Sequence, residues 1–239
     1  LIEILYRQTF KLADTVMFVN EDDPAYLIKK GIIAPEKVFT IKGVGIDTKK
    51  WIPVAKKPSE KIIITMIART LQHKGVMEFI AAADVLKPRY PTIEFRYIGS
   101  PDPGNRFSIS EKQMQEQPHI VYLGHRDDIS EQLAQSDIFV LPSYREGLPR
   151  TSMEAMSMGL PIVTTDVVGC RETVENGKNG FLVPPKNSHA LAEAIEKLIL
   201  YPSLREKMGK AGREKAIREF DIGTIIDKHF QAYGLQHVR

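Results

Sequence analysis

DIFVLPSYREGLPRTSMEAMSMGLPIVTTD, residues 137–166, sets two apolar runs on either side of a loop and an amphipathic segment. The runs DIFVLPS and PIVTTD are near-continuous in β-branched and large apolar side chains rather than alternating, which is the pattern of strands covered on both faces. Between them the loop YREGLP leads into a segment of helical spacing that stops at Gly159. Strand, loop, helix and strand in this order make one unit of a parallel sheet.

The same alternation extends in both directions. KIIITMIA is followed by GVMEFIAAADVL, IEFRYIG by a polar helical segment near 108–115, and HIVYLG by DISEQLAQS; downstream, CRETVEN, GFLV and SHALAEAIEKLIL continue it. Val76, Phe79, Ile80, Ala83 and Leu86 share one helical face, as do Leu191, Ala194, Ile195 and Leu198, and both stripes read as core. Pro88, Gly159 and Pro202 mark helix stops. The fold class is therefore α/β with a doubly wound parallel sheet. Upstream, DTVMFVN and KVFTIKG read as two further strands around a helix near 24–30, and the chain opens in helical periodicity at Ile4, Leu5, Phe10 and Leu12. The boundaries that follow are a remnant of a preceding α/β domain over 1–50, a linker rich in proline and lysine over 51–60, the main domain over 61–220, and a C-terminal helix over 221–239 whose apolar contacts come from Ile225, Ile226, Phe230 and Tyr233.

With 239 residues, 43% of them hydrophobic, the chain can bury a substantial core; a net charge of +3 leaves no basic excess for nucleic acid. The single Cys170 can form no internal disulfide, which fits a reducing, cytoplasmic setting. Apolar runs are too short to span a bilayer, so any membrane contact is expected to be peripheral, on the inner face.

In an open parallel sheet ligands sit beyond the carboxyl ends of the strands, so the loops there carry the chemistry. Arg69 leaves the end of KIIITMIA, and Lys74 stands just before the next helix; a guanidinium fork and an ammonium beside a helix N-terminus suit a diphosphate. Two solvated loop cations fit the same residues equally well. In the opening stretch Glu146 lies in the loop, Gly147 lets backbone approach a ligand, Pro149 suits a first helical turn, and Glu154 falls inside the helix. Both carboxylates facing a cleft would accept hydroxyl protons from sugar or ribose, with free amides between them. An exposed helical Glu154 and a solvated Glu146 are the plain alternative. The six histidines are scattered, and no Asp-x-Asp or carboxylate cluster has metal-ligand spacing, so no metal is expected.

The order ARTLQHKG, then YREGLPRTSMEAMSMGLPIVTTDVVGCRETVENGKNGFLV, resembles the C-terminal half of the retaining glycosyltransferases of family 4 (group 1), enzymes of the two-domain GT-B fold. Glu146 and Glu154 match the family's pair of glutamates with seven residues between them, Arg69 and Lys74 its phosphate-binding pair, and KGVGIDTKKW its segment before the interdomain linker. The resemblance implies a Rossmann-like C-terminal half of a GT-B fold. By the same resemblance Arg69 and Lys74 would hold and neutralise the donor diphosphate, Glu146 the sugar hydroxyls, and Glu154 the ribose. The amides of Gly147, Leu148 and Arg150 would touch sugar or phosphate, and Leu123, Gly124, His125, Arg126 and Ile129 would line the base. It implies metal-independent transfer, with no cofactor, from a nucleotide sugar, UDP-linked by preference, to a glycan or lipid-linked acceptor held mainly by an N-terminal domain that this chain largely lacks. Alone the chain would bind donor and transfer little. Two positions depart from the family pattern, Ala68 before Arg69 and Gln72-His73 before Lys74, and neither removes a ligand.

A dinucleotide dehydrogenase is disfavoured because GVGIDT lacks the third glycine of GxGxxG and its acid follows at once. A glycosidase could use two carboxylates but has no need of the paired cations. A GT-B relative that only binds or isomerises nucleotide sugars, or a non-catalytic binding module, stays open.

Overall fold

The computed structural model describes residues 2–55 and 61–235. After α1 (Ile2–Leu12), a small parallel sheet pairs β1 (Val16–Phe18) with β2 (Val38–Thr40), joined through α2 (Asp22–Lys29). Leu27, Ile32 and Ile33 form its core, with Phe10, Val16 and Phe18 packed against them.

The main sheet is built from β3 (Ile62–Ile67), β4 (Ile93–Ile98), β5 (Ile120–Tyr122), β6 (Ile138–Leu141), β7 (Ile162–Thr165) and β8 (Gly180–Val183). All neighbouring pairs are parallel, in the order β5-β4-β3-β6-β7-β8. The doubly wound reading holds, and β4, β6 and β7 are buried along their full length; β4 departs from a continuous apolar run in burying Glu94 and Arg96, which pair at 2.8 Å. The connecting helices are α3 (Val76–Arg89), α4 (Glu111–Gln115), α5 (Ile129–Gln135), α6 (Arg150–Ser157) and α7 (Cys170–Thr173), followed by α8 (Ser188–Leu200), α9 (Pro202–Lys215) and α10 (Ile222–Ala232). The predicted stripes of α3 and α8 are buried, and Phe79 meets Phe95 of β4 edge-on at 5.2 Å between ring centroids. Each such large side chain contributes about 2–3 kcal/mol by leaving water.

One of the expected helix stops acts differently. Pro88 lies inside α3, which runs on to Arg89, because a proline one residue from the end of a helix disturbs only the turn behind it. Pro202 stands just past the end of α8 at Leu200, as expected of a stop, and it also opens α9 at its first helical position, where the missing N–H would have had no partner. Gly159 does terminate α6, in the left-handed region at φ +77°.

Of the expected linker, residues 56–60 lie outside the described residues. Trp51 is nearly buried, and its carbonyl accepts from Ser157 Oγ at 2.6 Å and from Arg213 at 2.7 Å. The chain also returns to its beginning: Ile46 N–H donates to Phe220 O and Ile222 N–H to Ile46 O, each at 2.9 Å. No helix among the described residues is long and apolar enough to cross a membrane.

Candidate functional site

The strand order reverses between β3 and β6. From β3 the chain winds outward through β4 to β5, then returns to β6 and winds the other way, which leaves a crevice beyond the carboxyl ends of these two strands. Arg69 and Lys74 follow β3, and Glu146 follows β6, so the sequence-predicted charges line one crevice from two chain segments.

Lys74 ends a short 3-10 turn at Gln72–Lys74, and Gly75 then takes a left-handed φ of +79°. A Cβ at Gly75 would stand 2.2 Å from the carbonyl of Pro142, so only glycine lets this turn pack on the end of β6. That close approach puts Lys74 Nζ at 2.7 and 2.8 Å from the two carboxylate oxygens of Glu146. Ser143 Oγ donates to the same carboxylate at 2.7 Å, and the Glu146 N–H donates to Val168 O at 3.1 Å. Glu146 is thus a fixed, mostly buried acid, and the solvated alternative is excluded.

Arg69 turns away from Lys74. Its Nη1 donates to Asp102 Oδ2 at 2.6 Å, in the loop after β4, and most of its side chain is exposed. Asp102 is itself held by an N–H···Oγ bond to Ser108 at 2.9 Å. Nearby, Tyr144 donates to Glu78 at 2.7 Å; burial, then that bond, push its phenol up to about 12, so it stays protonated at any physiological pH.

Glu154 lies in the second turn of α6 and is buried, which excludes the exposed reading. Its carboxylate accepts from Arg150 Nε at 2.9 Å. Burial raises the Glu154 carboxyl above its ordinary value, and Arg150 offsets only part of the rise. Pro149 precedes α6 in extended conformation rather than sitting within its first turn, a small correction. Among the described residues no acceptor pairs with the amide N–H of Gly147, Leu148 or Arg150, so this edge of the crevice presents unfilled donors.

The stretch expected to line a base follows β5. Gly124 takes a left-handed φ of +64° and its carbonyl accepts from the Gly99 N–H at 2.8 Å; Gly99 in turn sits against Ala68, where a Cβ would come within 1.8 Å of the Ala68 carbonyl. Leu123, Gly124 and Ile129 are half-buried beside this junction, whereas His125 and Arg126 are exposed. Arg126 is bidentate to Asp128 at 2.7 Å on both bonds, and that pairing holds the Asp128 carboxyl well below the usual range. His125 stands 3.3 Å from Asp127.

Sequence reasoning missed Asp102, Ser143 and Asn20. The first two lie in loops at strand carboxyl ends, where the rule for open sheets would have found them. Asn20 follows β1 in the small sheet, and nothing in its local sequence announces that it reaches the crevice.

Residues 47–215 match the family described as "Glycosyl transferases group 1". The chain is 35% identical over 244 aligned positions to the N,N'-diacetylbacillosaminyl-diphospho-undecaprenol alpha-1,3-N-acetylgalactosaminyltransferase of Campylobacter jejuni, covering 97% of this chain and 63% of that protein. Among solved structures, sucrose-phosphate synthase from Thermosynechococcus elongatus superimposes with a TM-score of 0.84 at 26% identity, covering 97% of this chain and 60% of that one. Anabaena HepE in complex with UDP gives 0.85 at 23% identity over 98% of this chain and 68% of that one, a likeness of fold. The chain thus spans somewhat under two thirds of the length of the first two relatives. A doubly wound sheet with its charged pair at the switch point, and a family match over most of the same residues, lead to one statement: this chain belongs to the group 1 glycosyl transferases, with the GT-B fold.

Proposed function

We propose that the chain is the donor-binding part of a retaining glycosyltransferase. It moves a sugar from a nucleoside-diphosphate sugar, UDP-linked by preference, to a glycan or polyprenyl-linked acceptor in polysaccharide biosynthesis, in the cytoplasm or at the inner face of a membrane. The observation that carries this reading is the Lys74–Glu146 pair beside three unfilled amides at the switch point. An anion held by cations and N–H groups, next to an acid that accepts hydroxyls, matches the two halves of a sugar diphosphate. The undecaprenol-linked acceptor in the name of the Campylobacter relative, and the UDP bound by HepE, support the acceptor and donor classes.

Arg69 and Lys74 neutralise the charge that gathers on the diphosphate as the bond from the sugar's anomeric carbon to the phosphate oxygen breaks. Glu146 accepts from sugar hydroxyls, and Glu154 from the ribose. Gly147, Leu148 and Arg150 donate their amides to sugar or phosphate oxygen; Leu123, Gly124, His125, Arg126 and Ile129 flank the base. The acceptor oxygen bonds to the same face of the sugar, and its proton passes to the departing phosphate. No metal takes part, so chelation leaves turnover unchanged. The first 50 residues belong to an acceptor-binding domain, residues 51–60 link it to the donor domain over 61–220, and a helical segment follows from 221; on its own this chain binds donor and transfers slowly.

The test is acceptor-dependent transfer by the full-length protein. Loss of transfer in both Glu146→Ala and Arg69→Ala supports the assignment, and activity that survives both overturns it. Turnover of nucleotide sugar without any acceptor would instead favour an isomerase-type relative.

A further inference from the structure

Asn20 lies just past the carboxyl end of β1, in the small sheet, yet its side chain is fully buried against the donor turn of the large one. Its Nδ2 donates to Gly147 O at 3.2 Å and to Asp23 Oδ2 at 2.9 Å, while its Oδ1 accepts from the Asp23 N–H at 2.9 Å. Two acceptors on one side and one donor on the other admit a single orientation of the amide. Asp23 also pairs with Arg145, so the residue that fixes Asn20 grips the donor loop as well. Packing reinforces the contact: Val19 Cγ2 lies 3.6 Å from where a Gly147 Cβ would be, and Leu148 Cδ2 lies 2.9 Å from where a Gly43 Cβ would be.

The consequence follows from peptide geometry. In a planar trans peptide the C=O and the following N–H point in opposite directions. Holding the Gly147 carbonyl toward Asn20 therefore turns the Leu148 N–H away from it, and that N–H is one of the donors left without an acceptor among the described residues. We infer that Asn20 is a positioning residue for donor binding: by gripping the Gly147 carbonyl it aims the Leu148 N–H at an oxygen of the donor's diphosphate–sugar end. The inference rests on the donor-site reading above, and it assigns to the small sheet a direct part in shaping that site.

The test compares wild type with Asn20→Ala and Asn20→Ser, the serine keeping a short donor. Calorimetric titration with UDP, GDP and ADP identifies the nucleoside diphosphate that binds, and the matching monophosphate is then titrated alongside it. In Asn20→Ala the diphosphate binds about tenfold more weakly, the scale of one lost hydrogen bond, while the monophosphate affinity is unchanged; Asn20→Ser is intermediate. In the 15N-labelled wild-type protein the Leu148 amide resonance shifts on adding the diphosphate, and in Asn20→Ala that shift is lost. Equal weakening of both nucleotides marks a merely structural role and overturns the inference, as does unchanged diphosphate affinity or a wild-type Leu148 resonance that does not respond. Failure of the wild-type protein to bind any of the three diphosphates overturns the donor-site reading and this inference together.

Discussion

Lys74 Nζ and the Glu146 carboxylate meet at 2.7 and 2.8 Å across the point where the sheet reverses direction. Their side chains are only 18% and 12% exposed, so neither charge has much water to fall back on. Removing one partner strands the other; removing both does not. Lys74→Ala and Glu146→Ala are each expected to lower stability by about 1–3 kcal/mol, and the double substitution to cost clearly less than their sum. Urea denaturation of the four proteins of the cycle measures this, and additive losses would show that the pair is not coupled.

Arg69 is held by Asp102 in the structure, and the proposed donor needs that guanidinium. Asp102 therefore competes with the diphosphate for it. Asp102→Asn is expected to tighten nucleoside-diphosphate binding by about two- to fivefold, because an exposed ion pair is worth only about 1 kcal/mol. Weaker binding in this variant would make Asp102 part of the donor site rather than a rival to it.

Glu154 gives a stability prediction of defined sign. Burial raises its carboxyl above the ordinary 4.5, with Arg150 opposing only in part, so the folded chain ionises it less readily than the unfolded chain does. That contribution is present below pH 4.5 and is lost as pH rises through the folded value. Glu154→Gln is expected to raise Tm by about 2–4 °C at neutral pH, to bring no gain at pH 4, and to weaken nucleotide binding. Thermal melts at the two pH values, with a nucleotide titration beside them, decide it.

Glu219 carries the opposite sign. Burial alone would raise its carboxyl, but Lys215, Lys42 and Arg218 together bring it down to about 2. Its stabilisation is complete above 4.5 and disappears as pH falls to about 2. Glu219→Gln is expected to cost on the order of 1–2 kcal/mol at pH 7, after allowance for solvent around a partly exposed network, and nothing near pH 2. A denaturation series between these limits that shows a constant difference would refute the assignment.

Much of this architecture was legible in local pattern. Uninterrupted runs such as IIITMI and IFVL reveal parallel strands, since a strand buried on both faces has no polar side to alternate with. The stripes of α3 and α8 were legible for the same reason: helical spacing is a property of neighbouring residues. Where local rules failed, the failure was also physical. Pro88 and Pro202 look alike as punctuation, yet Pro88 is a late residue of α3, whereas Pro202 follows the end of α8 and starts α9; only the position of each within its turn decides this.

The candidate site divides along the same line. Residue types and spacing alone placed Arg69, Lys74, Glu146 and Glu154 at strand carboxyl ends and in the helix that follows, because loop position is set by the order of elements along the chain. Which charges face one another was decided only by packing. Strand order puts the turn after β3 against the end of β6, so Lys74 reaches Glu146, while Arg69 is taken by Asp102 and Glu154 is drawn into the interior beside Arg150. Asn20 is the extreme case, 127 residues from the carbonyl it holds. Periodicity and spacing report on neighbours within a few residues. A hydrogen bond between two sheets is fixed by how their surfaces meet, and that information exists only once the chain has folded.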